Sequence, residues 1–455
     1  MVRRRAGLSA VAVCLVLAPL SAHADWLDDA RAAFSDGDYD TARQLSEPMA
    51  EAGDPAALNI LGVLYFHGQG VEPDLQRGLD YYEASAAQGY AVAQSNLAWI
   101  LYKGLYGAPR DLTRAWELAE AAAEAGNAEA LNTLGAMSEE GALGSPDYAA
   151  AAAYYRQAMD GGSAGAHSNM GALYAQGFGV AQDDAQARLL FEQAAALDHG
   201  QGTRNLAYMM ELGRGGPQDI PGAIETYRRA IALGYGGAGN DLGILLLNGA
   251  AGMAPDPAAA AEAYEQGTAL GHDWAPSNLA YLLSDGDPSV PDDIDRAVSL
   301  YHLAYERGNI EALSDLAYMY WDGIGVAQDH AEARRLLQVL ADLGLPGPIN
   351  DLGYMHESGL GGPADLAGAL ALYQQAARMD YPFAAWGAAT VYLNPDYAGA
   401  DRVEGYAWCA YAIARETDSG RAAEYQESCG TLPDDLSDAE RAAITERTDA
   451  LLADS

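Results

Sequence analysis

An all-α solenoid of about ten antiparallel helix-hairpin repeats, each of 36–37 residues, closed at both ends by helical caps, is the fold this sequence predicts. Three observations carry the prediction. An apolar anchor returns at Leu61, Leu97, Leu134, Met170, Leu206, Leu242, Leu279, Leu316, Leu352 and, in degenerate form, Ala388, in steps of 36 or 37 residues. Seven residues after it stands a glycine in nine of the ten repeats, with Pro395 in the tenth, so the period is also punctuated by helix stops. Eight residues before it stands a second glycine in eight repeats, and the other two carry Asp198 and Asp380. A period of this length marks a small unit that cannot bury its own apolar face and must stack on its neighbours.

The elements follow in chain order. Arg3, Arg4 and Arg5 precede an apolar run from Leu8 to Leu20 and the small-x-small triplet Ala22-His23-Ala24, which is the pattern of a cleaved secretory signal peptide over residues 1–24. The run is too short to cross a bilayer, and no later stretch offers ~18 uninterrupted apolar residues, so no membrane span is expected. Cys14 falls within the leader, and Val13 occupies the place where a lipidation site wants a smaller residue. The protein is therefore expected to be periplasmic or secreted. In residues 25–55, Trp26 to Phe34 and Tyr39 to Ala52 read as an N-terminal capping helix pair.

Residues 56–402 carry the repeats. Directly after each anchor comes Gly or Ala, from Gly62 and Ala98 to Gly353 and Ala389, where a larger residue would hold two helices apart. The glycine stops, Gly68 through Gly286 to Gly359, suit a left-handed cap that ends the first helix. Asp198 and Asp380 fit the same geometry at the second stop, because Asp is one of the few residues that tolerate it. Between the stops, segments such as Ala91 to Tyr102 and Asp111 to Glu124 have apolar residues at three-and-four spacing. Second helices are signalled at Asp74, Asp111, Pro146, Asp183, Pro221, Pro257, Asp292, Asp329 and Asp365.

Residues 403–455 form the closing cap: helical patterns at Val403 to Arg415 and Arg421 to Ser428, then a capping box of Ser437 and Glu440 opening a helix to Leu452. The mature chain keeps two cysteines, Cys409 and Cys429. In an oxidising compartment they are expected to form one disulfide, and closing a loop of about twenty residues contributes roughly 3 kcal/mol.

Strings such as Asn96-Leu97-Ala98, Gly177-Phe178-Gly179-Val180 followed by Asp183, Gly323-Ile324-Gly325-Val326 followed by Asp329, and Ala376-Ala377 make the chain resemble the Sel-one-like repeat family, a branch of the tetratricopeptide superfamily. The resemblance covers roughly Ala56 to Ala414. It implies a right-handed superhelix whose first helices line the concave side, and a scaffold or regulator that binds other proteins. No catalytic residue comes with it. The departures are a proline-bearing loop from Asp285 to Pro291 and the weak last repeat.

Charge narrows the partners. The formal net charge is −39, and loss of Arg3, Arg4 and Arg5 with the leader takes it to −42, with Lys103 the single lysine. Such a polyanion does not seek nucleic acid or anionic lipid. Half the residues are apolar, which argues for a buried core despite the charge. Motifs that spell chemistry fall on structural positions. Gly161-Gly162-Ser163-Ala164-Gly165 has the form of a hydrolase elbow, with His167 nearby, but it lies in an inter-repeat turn without the strand an elbow needs. Gly234, Gly236 and Gly239 likewise lack the preceding strand of a dinucleotide site. Asp36, Asp38, Asp40 and Glu47 match a calcium loop except that Thr41 stands where glycine is required. The histidines have no paired metal spacing. No catalytic, cofactor or metal site is expected, and the chain reads as a non-enzyme.

One pattern suggests a binding surface. Before the anchor stands Asn or Asp in seven repeats (Asn96, Asn169, Asn205, Asp241, Asn278, Asp315, Asp351), and two residues after it an aromatic in five (Trp99, Tyr208, Tyr281, Tyr318, Tyr354). Three residues apart, the two positions share a helical face. Stacked repeats would turn them into a ladder able to hold a peptide or, through ring stacking, a glycan. Packing between hairpins would use the same residues, and burial separates the two. The expected function is a protein-interaction adaptor in the cell envelope, for an envelope sensor or an export complex. The second expectation is binding of peptidoglycan or exported polysaccharide.

Overall fold

The computed structural model describes residues 25–250, 252–284, 288–429 and 432–453. The expected leader, Gly286 and the first residues of the proline-bearing loop lie outside them. The described residues are helical apart from short loops and one isolated bridge between Ala250 and Met253. They fall into two compact units, dividing between His272 and Asp273.

The first unit begins with the pair α1 (Asp25–Ser35) and α2 (Tyr39–Glu51). Six hairpins follow: α3 (Pro55–His67) with α4 (Leu75–Ala86), α5 (Ala91–Lys103) with α6 (Leu112–Glu124), α7 (Ala128–Glu140) with α8 (Tyr148–Asp160), α9 (Ala164–Gln176) with α10 (Asp184–Ala196), α11 (Gly200–Leu212) with α12 (Ile220–Ala232), and α13 (Gly236–Asn248) with α14 (Pro257–Ala269). The second unit has four: α15 (Ala275–Leu282) with α16 (Ile294–Glu306), α17 (Glu311–Asp322) with α18 (His330–Asp342), α19 (Pro346–Ser358) with α20 (Leu366–Ala377), and α21 (Pro382–Leu393) with α22 (Arg402–Arg415). It closes with α23 (Ser419–Cys429) and α24 (Asp438–Ala453). Within each unit each helix packs on the next in sequence as far as α23, and α24 returns onto α22.

Both kinds of stop do what the chain needs of them. First helices end in left-handed glycines at Gly68, Gly104, Gly141, Gly177, Gly213, Gly323 and Gly359. Gly249 differs: its φ is also positive but its ψ is extended, and a longer loop with the Ala250–Met253 bridge follows. At the second stop, Asp198 (φ 56°) and Asp380 (φ 62°) are the two non-glycine residues of positive φ among those described. The aspartates that replace glycine thus adopt glycine's conformation, and each carboxylate meets an arginine of the next hairpin, Arg229 at 2.8 Å and Arg415 at 2.7 Å.

The starts of the second helices are more uniform than the mixed Asp and Pro signals imply. Every second helix is capped by aspartate: Asp74, Asp111, Asp147, Asp183, Asp219, Asp256, Asp293, Asp329, Asp365 and Asp401. Pro146 and Asp292 stand one residue too early, whereas Pro221 and Pro257 lie inside the first turn. The reason is chemical. A carboxylate accepts the otherwise unpaired N–H groups of the first turn, as Asp183 does from Gln186 (3.0 Å), and proline has no side-chain acceptor to offer.

The core is built around a column of rings on the second helices. Tyr82, Tyr155, Phe191, Tyr227, Tyr264, Tyr301 and Tyr373 are all buried. Where the residue after the anchor is glycine, the ring lies flat on it: a Cβ on Gly135 would stand 2.5 Å from Tyr155, and one on Gly353 2.9 Å from Tyr373. The expected close approach of two helices is therefore an aromatic ring seated on the backbone of the first helix. Deep in this packing the phenols find acceptors 16 residues back: Tyr155 donates to Glu139 (2.7 Å), Tyr227 to Glu211 (2.7 Å) and Tyr373 to Glu357 (2.8 Å). Burial and these carboxylates push all three hydroxyls well above the usual phenol range, so they stay protonated donors.

Candidate functional site

The positions that flank each anchor divide into an inner polar rung and an outer ring. The rung joins neighbouring first helices side chain to side chain. Asn96 donates its amide to Asn59 (3.1 Å), and Asn169 donates to Asn132 (2.9 Å), each across 37 residues. Arg204 pairs with Asp241 at the same separation. In the second unit the buried Ser277 hydroxyl meets the Asp315 carboxyl. In these four rungs the residue two before one anchor reaches the residue one before the next, whereas the buried Ser168, at the same position before Met170, has no hydrogen-bond partner for its hydroxyl among the described residues. The sequence pattern exposed only the second partner, because the first is chemically mixed.

None of the ladder residues is nine-tenths buried. Asn96, Trp99, Asn169, Asn205, Asp241, Asn278 and Asp351 are half-buried, and Asp315 is exposed. The outer rings are exposed: Tyr208 by 39%, Tyr281 by 57%, Tyr318 by 41% and Tyr354 by 48%. Rings of this size buried only on one side offer apolar area to whatever docks on the first helices. Ile244, also exposed, takes the ring position on α13. The face belongs to helices that sit side by side, α5 on α7, α7 on α9, α9 on α11 and α11 on α13 in the first unit, and α19 on α21 in the second.

The electrostatics differ between the units. In the first, a basic residue of the chain lies over the rings and is itself paired with a carboxylate. Lys103 Nζ stands 5.3 Å from the Trp99 ring and 4.1 Å from the Tyr102 ring while it bonds Glu140 at 2.7 Å. Arg204 lies 5.5 Å from the Tyr208 ring while it bonds Asp241 and, at 3.2 Å, Asn205. In the second unit, Tyr318 donates its hydroxyl to Asp351, and the Trp321 and Tyr354 rings stack at 5.8 Å and 13°. Burial, then the nearby Glu311, holds the Asp315 carboxyl above the usual carboxylate range, with the Ser277 hydroxyl opposing the shift. Burial and the bond to Asp351 raise the Tyr318 hydroxyl.

The residues that spelled catalytic motifs have structural roles. Ser163 is buried and caps α9, its hydroxyl accepting the Ala166 N–H at 3.2 Å; His167 meets the Ser163 carbonyl (2.8 Å), not the hydroxyl. Gly236 and Gly239 let α13 lie against the backbone of α14, where a Cβ on Gly239 would come within 2.6 Å of the Gly267 nitrogen. Asp38 caps α2 through Thr41, and Asp40 and Glu47 both pair with Arg43. Cys409 is buried in α22; the Cys429 side chain lies outside the described residues.

Comparison with known proteins agrees with this geometry. The model of a family described as Sel1 repeat matches nine times, over residues 55–90, 91–127, 128–163, 164–199, 201–235, 239–272, 277–309, 310–345 and 349–381. The hairpin of α21 and α22 follows the last match. Among solved structures, a protective antigen of uropathogenic Escherichia coli displaying an SLR fold shares 24% identity at a TM-score of 0.53, over 91% of this chain and 88% of that one. A Sel1 repeat protein from Oxalobacter formigenes shares 27% identity at a TM-score of 0.45, over 54% of this chain and 97% of that one. No curated protein matches the chain.

Proposed function

Because the chain belongs to the Sel1 repeat family, whose members are protein-interaction scaffolds, we propose that it is an exported, non-enzymatic adaptor that grips a protein partner on its first helices. One observation carries the reading: four of the five rings of the outer column, Tyr208, Tyr281, Tyr318 and Tyr354, stay 39–57% exposed, while the rings of the inner column are buried. Exposed aromatics set in a polar surround are what protein interfaces use as anchors. Export rests on the leader pattern in residues 1–24, and with it an envelope partner such as a sensor domain or an export component. No described helix is long and apolar enough to cross a membrane.

Crosslinked co-purification from envelope extract, followed by mass spectrometry, tests the proposal. A protein partner is expected with the parent chain and is expected to be lost, in large part, with Tyr318→Ala and Tyr354→Ala together. Enrichment of no protein over background would overturn it. Sedimentation with peptidoglycan under the same conditions would favour the glycan reading, for which the exposed rings also speak but the acidic rungs, against anionic sugars, do not.

A disulfide between Cys409 and Cys429 belongs to the same proposal, since an exported chain matures in an oxidising compartment. Cys409 is buried on α22, which packs on α23, the helix that ends at Cys429. Thiol titration of the denatured, unreduced mature protein is expected to find no reactive group. Two reactive groups would remove the bridge.

A further inference from the structure

We propose that the second unit's first-helix face takes a basic, extended polypeptide segment, whose arginine or lysine side chains each enter a pair of one ring and one carboxylate. The inference rests on the scaffold reading and deepens it by naming the partner's chemistry. Its template lies in the first unit. There a ring of the column is joined to a carboxylate by a cation of the chain itself: Arg204 lies between Tyr208 and Asp241, the residue before the next anchor, and Lys103 lies between Trp99 and Glu140, the last residue of the next first helix. In the second unit the ring and the carboxylate recur without the cation. The helices α15, α17, α19 and α21 carry Glu311, Asp315, Asp322, Asp351 and Glu357, and no lysine or arginine.

Among the described ion pairs, none includes Glu311, Asp315 or Asp351, and Arg421, which acts on nearby Tyr381, is paired with Glu416. Glu357 is engaged by Tyr373 in the core. Of the others, Asp322 ends α17, Asp315 lies beside Glu311, raised by burial and by that company, and Asp351 accepts from two neutral donors, the Tyr318 hydroxyl and the Asn350 amide. The rung is also short of donors. Asn350 is 3% exposed; its amide goes to Asp351 (3.1 Å) and its own Oδ1 receives no hydrogen bond. By the register of the other rungs its partner position is Gly387, which has no side chain to give. A guanidinium supplies what this arrangement lacks: positive charge, several N–H donors and a flat face for a ring.

Spacing fixes the form of the segment. Packed helices stand roughly 8–10 Å apart, and an extended chain advances ~3.3 Å per residue, so successive rungs meet every third residue. The test uses a fluorescein-labelled peptide with arginine at every third position and glycine and serine between. Three relatives accompany it: one with glutamate for arginine, one with the same arginines gathered at one end, and one with lysine. Fluorescence anisotropy with the full mature chain is expected to show the spaced arginine peptide bound, the clustered one weaker and the glutamate one unbound.

Asp315→Asn with Asp351→Asn, and separately Tyr318→Ala with Tyr354→Ala, are each expected to weaken binding by about tenfold or more. The pair Glu117→Gln and Glu120→Gln, two exposed carboxylates on α6, removes the same charge elsewhere and is expected to change it less than about twofold. Equal loss with that control pair, or equal binding of spaced and clustered peptides, would mean general attraction to a polyanion and would overturn the proposal. A partner captured by crosslinking through an acidic or neutral segment would also overturn it while leaving the scaffold reading standing. Unchanged melting of each variant shows that the fold is not what was lost.

Discussion

Tyr155→Ala is expected to lower stability by about 3–5 kcal/mol, the range for truncating a large buried aromatic side chain. Tyr155 is buried on α8, its ring against Gly135 on α7 and among Ala151, Ala152, Ala158, Ala166 and Met170. Alanine there leaves a ring-sized space against a glycine, which has no side chain to fill it, so collapse recovers little. Tyr155→Phe separates ring from hydroxyl. It keeps the packing and leaves the Glu139 carboxylate without its donor, at an expected cost of about 1–3 kcal/mol. Tyr208→Ala, on an exposed ring, is expected to stay near the usual surface range of about 0.5 kcal/mol. Urea unfolding followed by circular dichroism gives all three. The expected order of damage, from most to least, is Tyr155→Ala, then Tyr155→Phe, then Tyr208→Ala, and any other order would refute the ring-on-glycine account of the core.

That account explains which features of the fold were legible in the residues. The stops were legible because a left-handed backbone admits few residue types, so the geometry writes itself as Gly, or as Asp198 and Asp380, at a fixed interval. The helix starts were legible in kind but misplaced at Pro146 and Asp292. Proline and aspartate both mark a first turn, and only the unbroken column of aspartates at steps of 36 or 37 residues, ending in Asp401, separates cap from neighbour. The ring column that seals each hairpin had a signal too, an aromatic 20 or 21 residues after the small residue, as in Gly62 with Tyr82 and Gly135 with Tyr155. Half of the candidate surface was hidden for a different reason. A hydrogen-bonded rung needs one donor and one acceptor, and Asn59, Asn132, Arg204 and Ser277 all satisfy it, so the column at that position shows no residue identity to find.

The same reasoning makes Gly361→Val a highly damaging change for a loop position. Gly361 follows α19 with φ +69°, and its backbone rests on the first turn of α18, where an added Cβ would lie 2.6 Å from the His330 carbonyl carbon and 2.9 Å from the Ala331 nitrogen. Those atoms belong to helix backbone and do not swing aside. A left-handed conformation costs an L-residue about 1–2 kcal/mol, and overpacking a close contact about 1–3 kcal/mol more, so a loss of about 2–5 kcal/mol is expected. Gly344→Val separates the two contributions. Gly344 has φ +79° but open space around it, and its substitution is expected to cost the backbone share alone. The damage also has a location. In a stacked array each repeat leans on its neighbours only, so Gly361→Val strikes the contact between two successive hairpins, that of α17 and α18 and that of α19 and α20, more than the hairpins themselves. Hydrogen exchange is expected to rise first in α18 and α19, with the α7 and α8 amides unchanged. Uniform loss of protection along the chain would mean that the repeats unfold as one block, and that the loop glycine is not what couples them.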